Sequence, residues 1–293
     1  MRLTPKPICL SVSVTKQLPS FKPGLFFLYM VLLVAACGDG SVSMTTLSQK
    51  SLLPAHPMQL NDTGITDCGD YAYGQGSLQH NNNASCNLQT DIEHDTVPNG
   101  QDAMSGRDSN GDTNSNEDGH AGFSFTKISQ TGASLPARAK QWACIQDNVT
   151  GLMWEMKTDD RGLHDRDWTY SWYEPDAHRH GGHAGQANSG YCGFTSSCDT
   201  QGLVTAVNKT GLCGAHDWRL PTREELRSLA SLDRAAPAID QDWFPDTQAN
   251  WYWSTSLTAN DAISAWMFTF EYGYDGLAYK STPHYVRLVR SIH

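Results

Sequence analysis

The stretch C-G-A-H-D-W-R-L-P-T-R-E-E-L-R-S-L-A, residues 213–230, joins a strand to a helix within one short run. After Pro221, the residues Thr222-Arg223-Glu224-Glu225 form a capping box, in which Thr222 and Glu225 satisfy each other's free amides. Leu226, Leu229 and Ala230 continue the apolar face of the helix that this box starts. Working upstream, Asp199 to Asn208 places Leu203, Val204 and Val207 at helical spacing, and Gly211 lies just beyond its end. Earlier still, Gln141–Gln146 and Leu152–Met156 read as short strands around the turn Asp147-Asn148-Val149-Thr150-Gly151. Downstream, Ala265–Glu271 and His284–Arg290 return to strands, with a hairpin-like Gly273-Tyr274-Asp275-Gly276 between them. The expected fold is α+β: two helices, then an antiparallel meander.

Composition divides the chain near residue 135. All nine tryptophans lie between Trp142 and Trp266, whereas Gly38 to about Gln130 is rich in Asn, Asp, Gly, Ser and Thr. Residues 136–293 are long enough to bury one core. Residues 37–60 read as a flexible tether, because too little apolar material is present to offset the entropy of ordering. Residues 61–135 read as a loop-rich small module or an extension of the main domain.

The first 36 residues carry Arg2, Lys6, Lys16 and Lys22 with no acidic residue, followed by the apolar run G-L-F-F-L-Y-M-V-L-L-V-A-A at 24–36. Such a run is well short of the ~20 residues that a permanent membrane helix needs, so it reads as a removable signal. It ends in Val34-Ala35-Ala36-Cys37, which resembles the lipobox of bacterial lipoproteins, where the cysteine thiol receives diacylglycerol. Gly38 follows the cysteine, which in that class favours passage to the outer membrane, while Asp39 leaves the sorting open. More than one acyl chain makes a durable anchor. Loss of residues 1–36 removes four basic residues and no acidic one, leaving 17 Lys+Arg against 31 Asp+Glu, a formal net charge of −14. Nucleic acid is excluded as a natural partner by that charge.

Of the eight cysteines, Cys9 leaves with the signal and Cys37 is the lipid site. Cys68, Cys86, Cys144, Cys192, Cys198 and Cys213 remain, and in an exported chain six thiols point to three disulfides. Fifteen pairings are open. Cys68 with Cys86 and Cys192 with Cys198 are the local options, which would leave Cys144 to meet Cys213. A structural zinc site is the competing use of the thiols, although no tight pair of C-x-x-C steps is present.

Four ordered motifs carry a family resemblance: D-N-V-T-G-L-M-W-E at 147–155, C-G-A-H-D-W-R-L-P-T at 213–222 with E-E-L-R-S-L after it, Y-W-S-T-S at 252–256 and Y-V-R-L-V-R at 285–290. Together they resemble the C-terminal domain of the Legionella collagen-like adhesin, also called domain of unknown function 1566. The resemblance covers about Trp142 to Arg290. Upstream, G-H-A-G-F-S-F-T-K-I at 119–128 is similar to sequence found before this domain in Gram-negative members. The resemblance implies a C-type-lectin-like mixed domain on the cell surface, with binding of sulfated polysaccharide in the adhesin itself. This chain has no Gly-X-Y stalk, and its acidic charge would require a basic patch or a bound cation to hold a polyanion.

Several constellations carry possible chemistry. Trp168, Tyr170, Trp172 and Tyr173 lie in the long segment between the first hairpin and the first helix, where aromatic faces could stack on sugars or instead roof a small core. Asp108, Asn110, Asp112 and Asn114 place oxygen side chains at alternate positions, as a wrapped Ca²⁺ loop does, but Gly111 stands at the fourth place instead of the sixth. A disordered polar linker is the competing reading there. His178, His180 and His183 are spaced so that a folded loop could share zinc or copper, and solvated surface imidazoles are the plainer alternative. Asp217, Trp218, Arg219 and Arg287 are assigned structural contacts. The expected function is a lipid-anchored, non-enzymatic envelope protein, in the outer membrane and facing periplasm or cell surface, that binds extracellular carbohydrate or an envelope protein. A metal-assisted hydrolase and a purely structural envelope component are the competing classes.

Overall fold

The computed structural model describes residues 61–68, 86, 100–193 and 197–292. Residues 1–36, read as a signal, Cys37 and residues 37–60, read as a tether, lie outside the described residues. Among the described residues no helix is long and apolar enough to cross a membrane. The architecture is α+β, with two α-helices and eight strands in two antiparallel sheets among the described residues.

The first sheet grows from the hairpin of β3 (Cys144–Asp147) and β4 (Leu152–Glu155). Asp147 makes the turn: its Oδ1 accepts from the amides of Val149 at 3.0 Å and Thr150 at 3.1 Å, and Gly151 closes it with φ of 71°. On one side β3 pairs with β1 (Phe125–Ile128), which pairs in turn with β2 (Ser134–Leu135). On the other side β4 pairs with β8 (Val289–Ser291), so the order is β2-β1-β3-β4-β8. All four residues of β4 are buried, as befits a strand covered on both faces. Phe125, from the stretch read as loop-rich, packs edge-on to Phe244 in the main core at 5.4 Å between ring centroids.

The second sheet is β5 (Trp251–Leu257), β6 (Ser264–Thr269) and β7 (Tyr274–Tyr279). Its residues feed two cores: Tyr252 and Phe268 join Trp154, Leu226 and Phe244, while Trp253, Ala265 and Met267 join Tyr170, Trp172, Leu203 and Trp218. Successive residues of a strand face opposite sides, so this small sheet lies between the two cores.

Both helices start where expected. Helix α1 spans Thr200–Thr210, capped by the Asp199 carboxylate at the amide of Gly202 and ended by Gly211 with φ of 78°. Helix α2 spans Arg223–Arg227 and carries the capping box of Thr222 and Glu225. It is shorter than its apolar spacing implies, because the Ser228 hydroxyl donates to the Glu225 carbonyl at 2.7 Å in the last turn. Leu229 and Ala230 therefore lie past its end, though still in the core.

Two expectations about the last third need correction. Tyr274 to Gly276 is part of β7, and the turn lies at Phe270–Gly273 instead. The segment after it does not extend the meander. Tyr285 exchanges backbone bonds with Trp251 and Trp253 of β5, and Val289 then pairs with both Arg219 and β4. The chain changes partners within a few residues, so only three of them form a regular strand.

The six cysteines form Cys68–Cys86, Cys144–Cys213 and Cys192–Cys198, with Cα separations of 5.1, 6.4 and 5.5 Å. The local pairings and the remaining one are as expected, and no thiol is left for a zinc site. Cys144–Cys213 binds the start of β3 to the loop before Asp217.

Candidate functional site

The segment between β4 and α1 is held by isolated bridges and not by ladders. Tyr170 pairs with His284, Ser171 with Asp199 and Tyr173 with Gly185. Gly185 adopts φ of 85°, and a Cβ there would lie 2.0 Å from the Trp172 carbonyl oxygen. This trace turns Tyr170 and Trp172 inward, to 0% and 2% exposure, and the Trp172 indole donates to the Ser254 carbonyl at 2.9 Å. Neither ring can stack on a ligand; of the two readings, these two rings follow the one in which they roof the core. Trp168 is half-buried with its indole donating to the Gly162 carbonyl at 2.7 Å, and Tyr173 is half-buried beside α1. The exposed ring here is Tyr191, which sits edge-on to Trp168 at 5.7 Å and next to the Cys192–Cys198 bridge.

The histidine loop is built around a lysine. Lys280, almost wholly buried, donates from Nζ to the carbonyls of His180 at 2.9 Å and His183 at 2.7 Å and lies over the Trp172 ring. Two of the imidazoles curl onto their own loop: His180 Nδ1 accepts from the amide of Gly182, and His183 Nδ1 from that of Gly185. The three rings do not converge. Among the described residues, the one group of three or more His, Cys, Asp or Glu whose ligand atoms come together is elsewhere.

Asp217 and Arg219 are each held by a structural ion pair. Arg290 forks onto Asp217 at 2.6 and 3.2 Å, and Arg219 forks onto Glu225 of the capping box at 2.8 and 2.6 Å. Trp218 is buried with its indole on the Leu212 carbonyl. Arg287 is fully buried and donates to the Glu155 carbonyl and the Thr247 hydroxyl, both at 2.7 Å.

Beside Arg287 lies a charged knot that the sequence did not announce. Glu155, fully buried, accepts from Lys157 Nζ at 3.2 Å, His164 Nδ1 at 2.7 Å and the amide of Leu288 at 2.8 Å. Burial alone would raise its carboxyl, but the Lys157 charge, the His164 contact and the Leu288 amide outweigh that and hold it down at about 2. Burial also pulls the Lys157 ammonium below its usual value. Three donors converge on Glu155 and hold its carboxylate in the ionised form.

The anticipated Ca²⁺ loop does not wrap. Asn110 Oδ1 accepts from the amide of Asp112, Asp112 is exposed, and Asn114 donates to the Asp108 carbonyl. Asp108 instead turns its carboxylate toward Asp62 and Asp102, all three with an oxygen within 4.8 Å of the others. Burial first, and then the Asp62 charge, push the Asp108 carboxyl up to about 6.

Exposed large apolar side chains concentrate on β7 and its flanks. Of the seven exposed large apolar side chains among the described residues, Tyr272, Tyr274, Leu277 and Tyr279 lie in or next to this strand. Ile263 is joined to it through the Lys280 amide, and Leu232 packs against Gly273 in the turn before it. Strand β7 is also an edge of its sheet among the described residues.

The model of one protein family, the Lcl C-terminal domain, matches residues 143–290, half of the chain. The chain belongs to this family. No curated protein and no solved structure matches it. The Lcl C-terminal domain family is adhesin-like and of the cell surface, in keeping with the coarse expectation from the four motifs. Within the matched span lie the histidine loop, the Glu155 knot, helices α1 and α2 and the β7 edge. Strands β1 and β2 and the Asp62, Asp102 and Asp108 group precede it.

Proposed function

We propose that this protein is a lipid-anchored, non-enzymatic adhesin whose Lcl C-terminal domain binds extracellular carbohydrate through the tyrosine-rich edge at β7. The observation that carries this reading is the gathering of exposed rings on one strand and its flanks. Apolar side chains exposed together, unlike those scattered singly, mark a contact surface. Tyrosine offers a flat face for sugar rings and a hydroxyl that stays solvated at the rim. The family resemblance, with its C-type-lectin-like expectation, supports a binding role, and Cys37 at the end of an apolar run supports a diacylglycerol anchor in the outer membrane.

The purified full chain, screened on a glycan array and against extracellular matrix proteins, tests the reading. Tyr272→Ser/Tyr279→Ser should lower glycan binding by about tenfold or more with an unchanged melting temperature, since both rings are largely exposed. Silence across the glycans, or a double variant that binds as the native chain does, sinks the carbohydrate reading. Binding to matrix protein alone would replace it with a protein partner. Incorporation of labelled fatty acid, lost in Cys37→Ser, checks the anchor separately.

A further inference from the structure

We propose that Asp62, Asp102 and Asp108 form a Ca²⁺ site that fastens the segment 61–65 to the folded domain. The three carboxylates offer oxygens within 4.8 Å of one another. Two oxygens bound to one Ca²⁺ at ~2.3–2.6 Å stand at most ~5 Å apart, so the spacing fits a single ion. Among the described residues no lysine, arginine or histidine forms an ion pair with any of the three. Arg107, the nearest cation in sequence, turns its Nε to the Gly122 carbonyl at 2.8 Å.

The second observation is Asp108 itself. It is 5% exposed, and both of its carboxylate oxygens are buried without a hydrogen-bond donor. A buried carboxylate is ordinarily met by several donors, and one left without them is costly unless a cation takes their place. The other two ligands are already oriented. Asp62 accepts from the amide of Asp108 at 2.9 Å and from that of Arg107, and Asp102 accepts from the Thr63 hydroxyl. Asp102 is exposed, which gives the ion an entrance and room for the water ligands that Ca²⁺ keeps. An all-oxygen, all-carboxylate set selects a hard cation over zinc or copper.

What the ion would secure is visible in the bonds around it. The amide of Leu232 donates to the Thr63 carbonyl at 2.6 Å, and Asn61 Nδ2 donates to Asp147 at 2.5 Å and to the Ser228 carbonyl at 3.1 Å. The segment thus reaches the end of β3 and the turn after α2, while its own link to residues 102–108 runs through the three carboxylates. Bound Ca²⁺ would turn mutual repulsion at that link into a clasp.

Calorimetric titration of the full chain in detergent, stripped with EGTA and then supplied with CaCl₂, tests this alongside thermal unfolding. One Ca²⁺ per chain is expected, at the ~10⁻⁴–10⁻³ M typical of extracellular sites or tighter, with a melting temperature that rises as Ca²⁺ is added. Asp108→Asn should weaken binding by about tenfold or more, yet in EGTA it should melt at or above the native chain, because a repelled buried charge has been removed. Asp112→Asn should bind as the native chain does. No calcium-dependent heat or melting shift in the native chain overturns the proposal. So does undiminished affinity in both Asp62→Asn and Asp108→Asn, loss of affinity in Asp112→Asn, or an Asp108→Asn chain that melts below the native one in EGTA.

Discussion

Replacing Glu155 by glutamine removes one charge from the buried knot without changing its volume. The carboxyl sits at about 2 in the folded protein against 4.5 for a free glutamate. At ~1.4 kcal/mol per unit, that difference amounts to about 3 kcal/mol of stability at neutral pH. The sign follows from the direction of the shift. The folded carboxyl is more acidic than the unfolded one, so its contribution is complete above about pH 5 and is lost as the pH falls from there toward 2. Glutamine would leave the Lys157 ammonium, itself 4% exposed, without its partner, and would set an amide group against the donors of His164 or Leu288. Breaking a buried pair from one side costs ~3–5 kcal/mol, in line with the linkage figure. Urea unfolding followed by tryptophan fluorescence, with the disulfides intact, should show that loss at pH 7 and a flatter decline between pH 5 and 3. Glu155→Gln/Lys157→Met should recover part of the loss, because the stranded ammonium is gone. A single variant within about 1 kcal/mol of the native chain, or a double variant no better than the single, would refute the account.

Further expectations concern other elements. Cys144→Ala/Cys213→Ala opens a bridge spanning 69 residues, for which the chain-entropy model gives about 4 kcal/mol, readable as a lowered urea midpoint. Gly185→Ala should destabilise by several kcal/mol, since a Cβ there would meet the Trp172 carbonyl oxygen at 2.0 Å; a melting temperature equal to the native one would contradict the described trace. His284 is pushed down to about 4 by burial, so the folded protein holds it neutral and loses stability as the pH falls from 6.5 toward 4. His284→Phe should remove that part of the acid decline, and proton titration by NMR gives the direct check.

Local chemistry explains what the sequence shows and what it hides. The capping box at Thr222 and Glu225, the Asp147 turn and the cap at Asp199 depend on neighbours within a few positions, and each stands where the residues place it. Gly273 and Gly276 look alike as turn markers, but only Gly273 lies in the turn. A Cβ on Gly276 would lie 2.6 Å from the Trp251 ring across the sheet, so that glycine answers a packing demand within β7. Tyr170 and Trp172 stand two positions apart, a period-two signal of one buried face that favoured the core over a ligand platform. Asp62, by contrast, joins Asp102 and Asp108 from about forty residues away, and Glu155 meets Leu288 across more than a hundred. Spacing along the chain carries no trace of such meetings.

The late docking of β8 bears on how the molecule is made. Leu152 pairs with Ser291, 139 positions later, so β4 has an open edge until nearly all the described chain is present. Long-range pairing of this kind is slow, and an uncovered apolar edge invites pairing with another chain. A chain delivered in vectorial fashion, N-terminus first, would display Trp154 and its neighbours for most of its emergence. The Cys144–Cys213 bridge closes a shorter loop and can form before β8 arrives, holding β3 and its hairpin partner near the Asp217 loop in the interval. Oxidative capture ahead of final strand docking would make thiol oxidation, more than intrinsic strand propensity, the step that sets the yield of folded protein.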